Sequence, residues 1–430
     1  MKFSTKKKVF FKTFGCRTNV FDSQVMMSQL KDFDVTEDEY LADVIVVNSC
    51  TVTNGADSGV RSYISHVEKQ GKQKVFLTGC GAHTKGESLF EQNRVSGVFG
   101  QSEKQKINEL LQSETPFYEL GDLNYIDDSV VDDFVGKSRA FIKIQEGCDF
   151  RCSYCIIPFV RGDARSIDES RILDQVYRLA TNGFGEFVLT GTNVGSYGKK
   201  TSNQKGETDI ASLMKKMSQI RGVRRIRIGS LEPIQITDSF KEILDEPWLE
   251  KHLHIALQHT SPDMLKIMNR RNYFKHDYDL FHMLSEKNFA LGTDFIVGHP
   301  GETDVLWNEA YTNLETLPLT HVHAFSYSKR DGTPSALLKP EINGTVAKQR
   351  LQALTELVKK KNLEFRKKHH DTFLDVLLES EISDNSGEKR FSGYDQYFNK
   401  IIVESSDDLC GNWISVENHT VENECNYAKY

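Results

Sequence analysis

Hydrophobic residues in the first 120 positions come in short runs. VFFKTFGC (9–16), ADVIVVNSC (42–50) and KVFLTGC (74–80) are rich in Val, Ile or Phe, are of strand length, and each ends at a cysteine. Between them lie segments of helical character, DSQVMMSQLKDF (22–33) and GVRSYISHVEKQ (59–70). Strands alternating with helices read as βαβ units on a parallel sheet. Residues 1–120 are therefore expected to form an α/β domain.

The segment GDLNYIDDSVVDDF (121–134) is acidic and lacks helical periodicity, so residues 121–135 read as a linker. Alternation then resumes. Candidate strands are RAFIKIQ (139–145), EFVLTG (186–191), RRIRIGS (224–230), HLHIALQ (252–258), ALGTDFIVG (290–298) and THVHAFSYS (320–328), with helical segments such as ESRILDQVYRLATNG (169–183) between them. Six βα units make a parallel, partial (β/α)6 barrel with its chemistry at the C-terminal strand ends. A long basic helix, VAKQRLQALTELVKKKNLEFRKKHHD (346–371), closes this second domain, residues 136–371. From 372 to 430 the period changes: FLDVLLES, YFNKIIVES and NWISVEN are strand-like and separated by turns. That predicts a small antiparallel β-barrel of the size used to bind oligonucleotides.

With 38% hydrophobic and 27% charged residues, the composition is that of an ordinary globular protein. A net charge of −7 argues against indiscriminate nucleic-acid binding but leaves room for a local basic face. The N-terminal run VFF stops at Lys12, short of a signal-peptide core. No stretch approaches the roughly 20 apolar residues of a membrane span. The expected location is the cytoplasm, with no membrane partner.

Eight cysteines in 430 residues are too few for a disulfide scaffold, and their clustering points to metal or redox chemistry. GCDFRCSYC (147–155) places Cys148, Cys152 and Cys155 in a C-x3-C-x2-C loop just after a candidate strand. A closed structural zinc site wants four ligands, and no fourth Cys or suitable His follows nearby. Three thiolates suit a 4Fe–4S cluster with one iron left free of protein, open to a small chelating molecule. This spacing, with Tyr154 before the last cysteine, resembles the signature of the radical S-adenosylmethionine superfamily. Further segments resemble that superfamily in order and spacing. LTGTNVGSYG (189–198) carries Gly191 and Thr192 at the turn that meets the cofactor's amino group. SLEP (230–233) carries Ser230 and Glu232 as ribose-contacting candidates, and FIVGHPGET (295–303) matches the strand end near the adenine.

Cys16, Cys50 and Cys80 each terminate a predicted parallel strand. Carboxyl ends of parallel strands share one edge, where ligands bind, so three thiols delivered there can converge on a second cluster. Buried core cysteines are the plainer reading, but one at the end of each of three successive strands disfavours it. TFGCRTNVFDS (13–23), VVNSCTVTNGAD (46–57) and TGC (78–80) resemble the three cysteine motifs of the methylthiotransferases. CIIPFVRGDARS (155–166), LQHTSPDMLKIMNRR (257–271) and the terminal TRAM-type barrel match that family too. One departure stands out: His259 and Thr260 occupy positions where the family commonly has Ser-Gly. TVTNGAD after Cys50 resembles the branch acting on threonylcarbamoyladenosine. The alternatives within the family are isopentenyladenosine in tRNA and a ribosomal-protein aspartate.

The resemblance implies two 4Fe–4S clusters and S-adenosylmethionine as cofactors, with no side chain as acid or base. The hydrogen at adenine C2 is not acidic, so a general base achieves little, and cofactor radical chemistry is needed. It also implies a tRNA anticodon stem-loop as partner, with an adenosine beside the anticodon as target, plus an electron donor and a sulfur donor that the sequence does not identify. Candidate RNA contacts are Arg161 and Arg165 after the cluster loop, Arg224, Arg225 and Arg227, and the groups Lys359–Lys361 and Arg366–Lys368, including Lys360 and Arg366. A solvated helix face is the simpler reading of such charge runs. Tyr394, Tyr397 and Phe398 are base-stacking candidates, with core packing as the alternative.

Overall fold

A computed structural model describes residues 6–71, 73–127, 129–131, 138–201, 204–205, 208–382 and 389–430. The N-terminal sheet has six strands: β1 (Lys7–Thr13), β2 (Phe33–Val35), β3 (Val44–Ser49), β4 (Lys74–Gly79), β5 (Gly97–Phe99) and β6 (Phe117–Glu119). Their order is β2-β1-β3-β4-β5-β6 and every pairing is parallel. In β3 the side chains alternate between two cores. Ile45 and Val47 join one face, and Val44 and Val46 the other, so both faces are covered by helices as parallel sheets require.

The second unit contains β7 (Ala140–Glu146), β8 (Arg165–Ser166), β9 (Glu186–Gly191), the hairpin β10 (Lys199–Thr201) and β11 (Gln204–Lys205), then β12 (Arg225–Ile228), β13 (His252–His254), β14 (Ala290–Val297) and β15 (His321–Ser326). Two parallel sets, β12-β9-β7 and β13-β14-β15, are linked by the parallel bridges Ile226–Leu249 and Leu231–Ile255. The result is an open six-strand barrel whose strands fall where the six apolar runs place them. Its core also takes Phe21 and Val25 from the N-terminal helix Arg17–Ser28, so the first two units share one interior.

The third unit is a curled six-stranded sheet, β19-β16-β17-β18-β21-β20, comprising β16 (Leu374–Ile382), β17 (Lys389–Tyr394), β18 (Lys400–Ser405), β19 (Trp413–Val416), β20 (Thr420–Val421) and β21 (Asn426–Lys429). It is antiparallel except where β18 and β21 pair in parallel, and it forms a half-barrel. The long basic helix spans Gly344–Lys368. Among the described residues no helix is long and apolar enough to cross a membrane.

The acidic segment 121–135 does not run free in solvent throughout. Val131 joins the barrel core, and Asp127 is buried between Lys104 and Lys143. Lys104 Nζ and Lys143 Nζ each also lie 2.8 Å from Asp22 Oδ1. Isolated buried charges are too costly to survive, so these acidic and basic residues must enter together. The patterning missed this because an ion cluster has no periodicity.

Candidate active site between two cysteine trios

Cys16, Cys50 and Cys80 emerge together at the carboxyl edge of the N-terminal sheet. Cys50 follows β3, Cys80 follows β4, and Cys16 caps the helix that follows β1. Gly15 has φ +97°, and a Cβ there would lie 2.5 Å from Cys50 Cβ and 2.8 Å from its sulfur. Only glycine allows the two backbones to approach so closely. Burial pushes the Cys50 thiol up to about 11, helped by its neighbours Cys80 and Cys16 and opposed by Arg161. Thiols that resist ionisation alone suit a cationic centre, which stabilises thiolate.

Cys148, Cys152 and Cys155 lie in the loop after β7. Gly147 (φ +72°) starts it, packed so closely that a Cβ would meet Asp163 O at 1.9 Å, and Cys148 N donates to Gly162 O at 3.0 Å. Burial raises the thiols of Cys148 and Cys155, the latter to about 12.

A cavity of about 420 Å³ is lined by Cys16 from one trio and Cys155 from the other, with Thr53, Tyr154, Thr192 and Gln258. Among the described residues neither trio brings its three sulfurs within 4.8 Å of one another. Four thiolates on one zinc, at about 2.3 Å each, sit about 3.8 Å apart. Neither trio is therefore gathered tightly enough for a single zinc ion.

Each trio has a fixed cation at a sulfur. Arg161 Nε lies 3.1 Å from Cys80 Sγ, and Arg270 Nη1 lies 3.6 Å from Cys152 Sγ. Asn193 Nδ2 lies 3.5 Å from Cys148 Sγ. Arg270 is itself forked onto Glu232 and donates to Ala256 O at 2.6 Å. Such N–H···S donors tune iron–sulfur centres. Arg270 and Asn193 lie inside segments read from the sequence but were not singled out, because nothing in the linear pattern aims them at sulfur.

The remaining candidates divide. Tyr154 and Thr192 line the cavity. Gly191 sits where a Cβ would be 2.7 Å from Gln145 O, so the end of β9 packs tightly beside the cluster loop. Ser230 Oγ is 3.2 Å from Asp294 Oδ2. Gln258, at φ +64°, holds a left-handed conformation that costs a non-glycine residue roughly 1–2 kcal/mol, and such strain clusters at functional sites. His259, the departure from the family pattern, is fully buried. Its Nε2 lies 3.2 Å from Glu302 Oε1 and its Nδ1 accepts from Ser261 N.

Most basic RNA candidates are corrected by the structure. Arg161 is buried and spent on Asp22 (3.0 Å), Glu146 (2.5 Å) and Asn19 (2.6 Å). Arg165 is buried, donating to Arg161 O and Asp163 O. Arg225 and Arg227 both pair with Glu186 at 2.6 Å. Arg224 pairs with Asp375 at 2.5 Å and lies over the Trp413 ring. Arg366 is buried against Asn426 and Asn423 O. Apart from Arg165, these arginines join the barrel to neighbouring units, which their charge alone could not reveal. Lys359 and Lys360 are exposed, while Lys361 donates to Glu315 O and Leu317 O. Tyr397 is core, and Phe398 is stacked between Tyr394 and His252.

Two family models match the chain: "Uncharacterized protein family UPF0004" over residues 8–100 and the radical SAM superfamily over residues 142–312. A Helicobacter pylori protein named "Putative methylthiotransferase" is 51% identical, covering 99% of this chain and 100% of its own. The Bacillus subtilis threonylcarbamoyladenosine tRNA methylthiotransferase MtaB is 31% identical over 95% of this chain and 93% of its own. An Acetivibrio thermocellus tRNA-2-methylthio-N(6)-dimethylallyladenosine synthase is 30% identical, over 97% and 90%. Among solved structures, the radical S-adenosylmethionine methyltransferase TsrM of Kitasatospora setae superposes with TM-score 0.57 at 14% identity, over 77% of this chain and 74% of that one.

Proposed function

Because the chain belongs to the methylthiotransferase family of radical S-adenosylmethionine enzymes, we propose that it inserts a methylthio group at C2 of N6-threonylcarbamoyladenosine beside the anticodon of tRNA. The observation that carries this reading is one cavity lined from both cysteine trios. The TVTNGAD segment and the relatives named for threonylcarbamoyladenosine favour that substrate, while a relative named for dimethylallyladenosine keeps that nucleoside as the second reading.

Cys148, Cys152 and Cys155 hold the cluster that binds S-adenosylmethionine, and Cys16, Cys50 and Cys80 hold the second. When bound, these cofactors supply the radical that removes an unactivated hydrogen and the sulfur that replaces it. The protein's own work is placement and exclusion. Ile156 and Val160 pack against Cys80 and keep water from its sulfur. Arg161, Arg270 and Asn193 hold N–H groups at cluster sulfurs. Gly191 lets the end of β9 lie against the cluster loop, where a side chain would push it away.

The test is nucleoside mass spectrometry of tRNA from a strain lacking the chain, with purified protein assayed on the same tRNA. Loss and in vitro restoration of the 2-methylthio form of threonylcarbamoyladenosine support the proposal. Loss of the dimethylallyl counterpart instead moves the assignment to the second reading. Activity on a ribosomal protein with neither tRNA product refutes both.

A further inference from the structure

Beside the cavity, three neighbouring barrel strands each offer one metal-binding atom to a common point, and none belongs to a cysteine trio. His254 lies on β13, Asp294 on β14 and His323 on β15. His254 Nε2 is 3.1 Å from Asp294 Oδ1, and His323 Nδ1 is 3.4 Å from the same oxygen. All three ligand atoms lie within 4.8 Å of one another, the one such group among the described residues. Asp294 lines the cavity that Cys16 and Cys155 also line.

The simpler reading makes both imidazoles hydrogen-bond donors to Asp294. His254 Nε2, however, is buried without a hydrogen bond of acceptable geometry, an expensive state for a polar atom. Adjacent ligands on an octahedral ion with bonds of about 2.1 Å sit about 3.0 Å apart, and on a tetrahedral ion about 3.4 Å apart. The two carboxylate–imidazole separations, 3.1 and 3.4 Å, fall in that range. A carboxylate with two imidazoles is a donor set for a divalent transition metal, unlike the oxygen-only shells of Mg²⁺ or Ca²⁺.

We propose that His254, Asp294 and His323 form a site for one divalent transition-metal ion, with its free coordination positions open to the cavity between the cysteine trios. Those positions take an oxygen chelate. A threonylcarbamoyl group, with its carboxylate and neighbouring hydroxyl, provides one, and a dimethylallyl group does not. This second step rests on the substrate proposed above; the ion site does not.

The test is an anaerobic titration of cluster-loaded, oxidised protein with Mn²⁺, the free ion being counted by its electron paramagnetic resonance signal. The expected result is one bound Mn²⁺ per chain, displaced by one equivalent of Zn²⁺. Binding should weaken at least tenfold in Asp294→Asn and in His323→Ala. His323 is 62% exposed, so its variant should keep the wild-type iron and sulfide content, separating loss of the site from loss of the fold. Absence of bound Mn²⁺ and Zn²⁺, or binding untouched by both substitutions, overturns the site whatever the enzyme modifies. Adding N6-threonylcarbamoyladenosine should alter the bound Mn²⁺ spectrum, and N6-dimethylallyladenosine should not. If neither does, the chelation step falls and the ion site stands.

Discussion

Replacing Arg161 by Gln removes a buried positive charge whose Nε sits 3.1 Å from Cys80 Sγ. Its other partners, Asp22 and Glu146, are buried carboxylates. Burial raises the Asp22 carboxyl, but Lys104 and Lys143 together with Arg161 hold it well below the usual range. It therefore stays ionised in the variant, adding negative charge near the cluster. With a cluster bound at Cys80, an added electron would lie on the order of 6 Å from the guanidinium. At an effective dielectric constant of about 20 the attraction is about 2.8 kcal/mol. For a one-electron couple that is about 120 mV, so the reduction potential of the Cys16/Cys50/Cys80 cluster should fall by roughly 100 mV. Arg161→Lys keeps the charge and loses the planar fork, so its fall should be less than half as large. The assay is a potentiometric titration followed by electron paramagnetic resonance, with iron and sulfide measured on the same sample. The cluster held by Cys148, Cys152 and Cys155 serves as internal reference. If Arg161→Gln retains both clusters and its potential moves by less than about 20 mV, the electrostatic argument is wrong. It is equally wrong if Arg161→Lys falls as far as Arg161→Gln.

Alanine at any one of the six trio cysteines should remove one cluster's iron and sulfide and abolish product, whereas alanine at Cys410 or Cys425 should leave iron content and turnover intact; elemental analysis and product assay decide. Gly15→Ala places a Cβ 2.5 Å from Cys50 Cβ at φ +97°, so the second cluster should be lost selectively, visible as halved iron with S-adenosylmethionine binding retained. For Glu186, burial raises the carboxyl but Arg227, Arg225 and Arg139 outweigh it and bring it to about 2. A depressed folded-state value contributes stability above the unfolded value of about 4.3, and that contribution disappears as the pH falls toward 2. Glu186→Gln should therefore melt below the wild type at pH 6, by a gap that closes on acidification. Circular dichroism on proteins in the same cluster state measures it, and a gap independent of pH would contradict the assignment.

The architecture was legible because apolar runs report burial directly. All six barrel runs became strands, and ADVIVVNSC and KVFLTGC became β3 and β4 with their cysteines at the shared edge. The cysteine spacing was legible for a related reason, since three thiols in nine residues can wrap only one object. What the chain did not disclose is how charge is spent. Arg161, Arg225 and Arg366 look like RNA-facing cations in one dimension, and each is paired inside the protein. Pairing is settled by contacts between residues far apart in the chain, 139 positions for Arg161 and Asp22 and 150 for Arg225 and Asp375, and short-range periodicity carries no record of it. The histidines of β13 and β15 were hidden in the same way: HLH and HVH read as strand, and only strand pairing lays both beside Asp294.

The helix Arg17–Ser28 leaves the N-terminal sheet and lends Phe21 and Val25 to the barrel interior, while Asp22, between them, carries the barrel's Lys143 and Arg161. Cutting the gene between these two units would therefore not yield two tractable fragments. The barrel piece would expose an apolar socket and leave Lys143 and Arg161 with Glu146 but without Asp22, and the other piece would carry a greasy, acidic peg. Heterologous expression of either half should favour insoluble material.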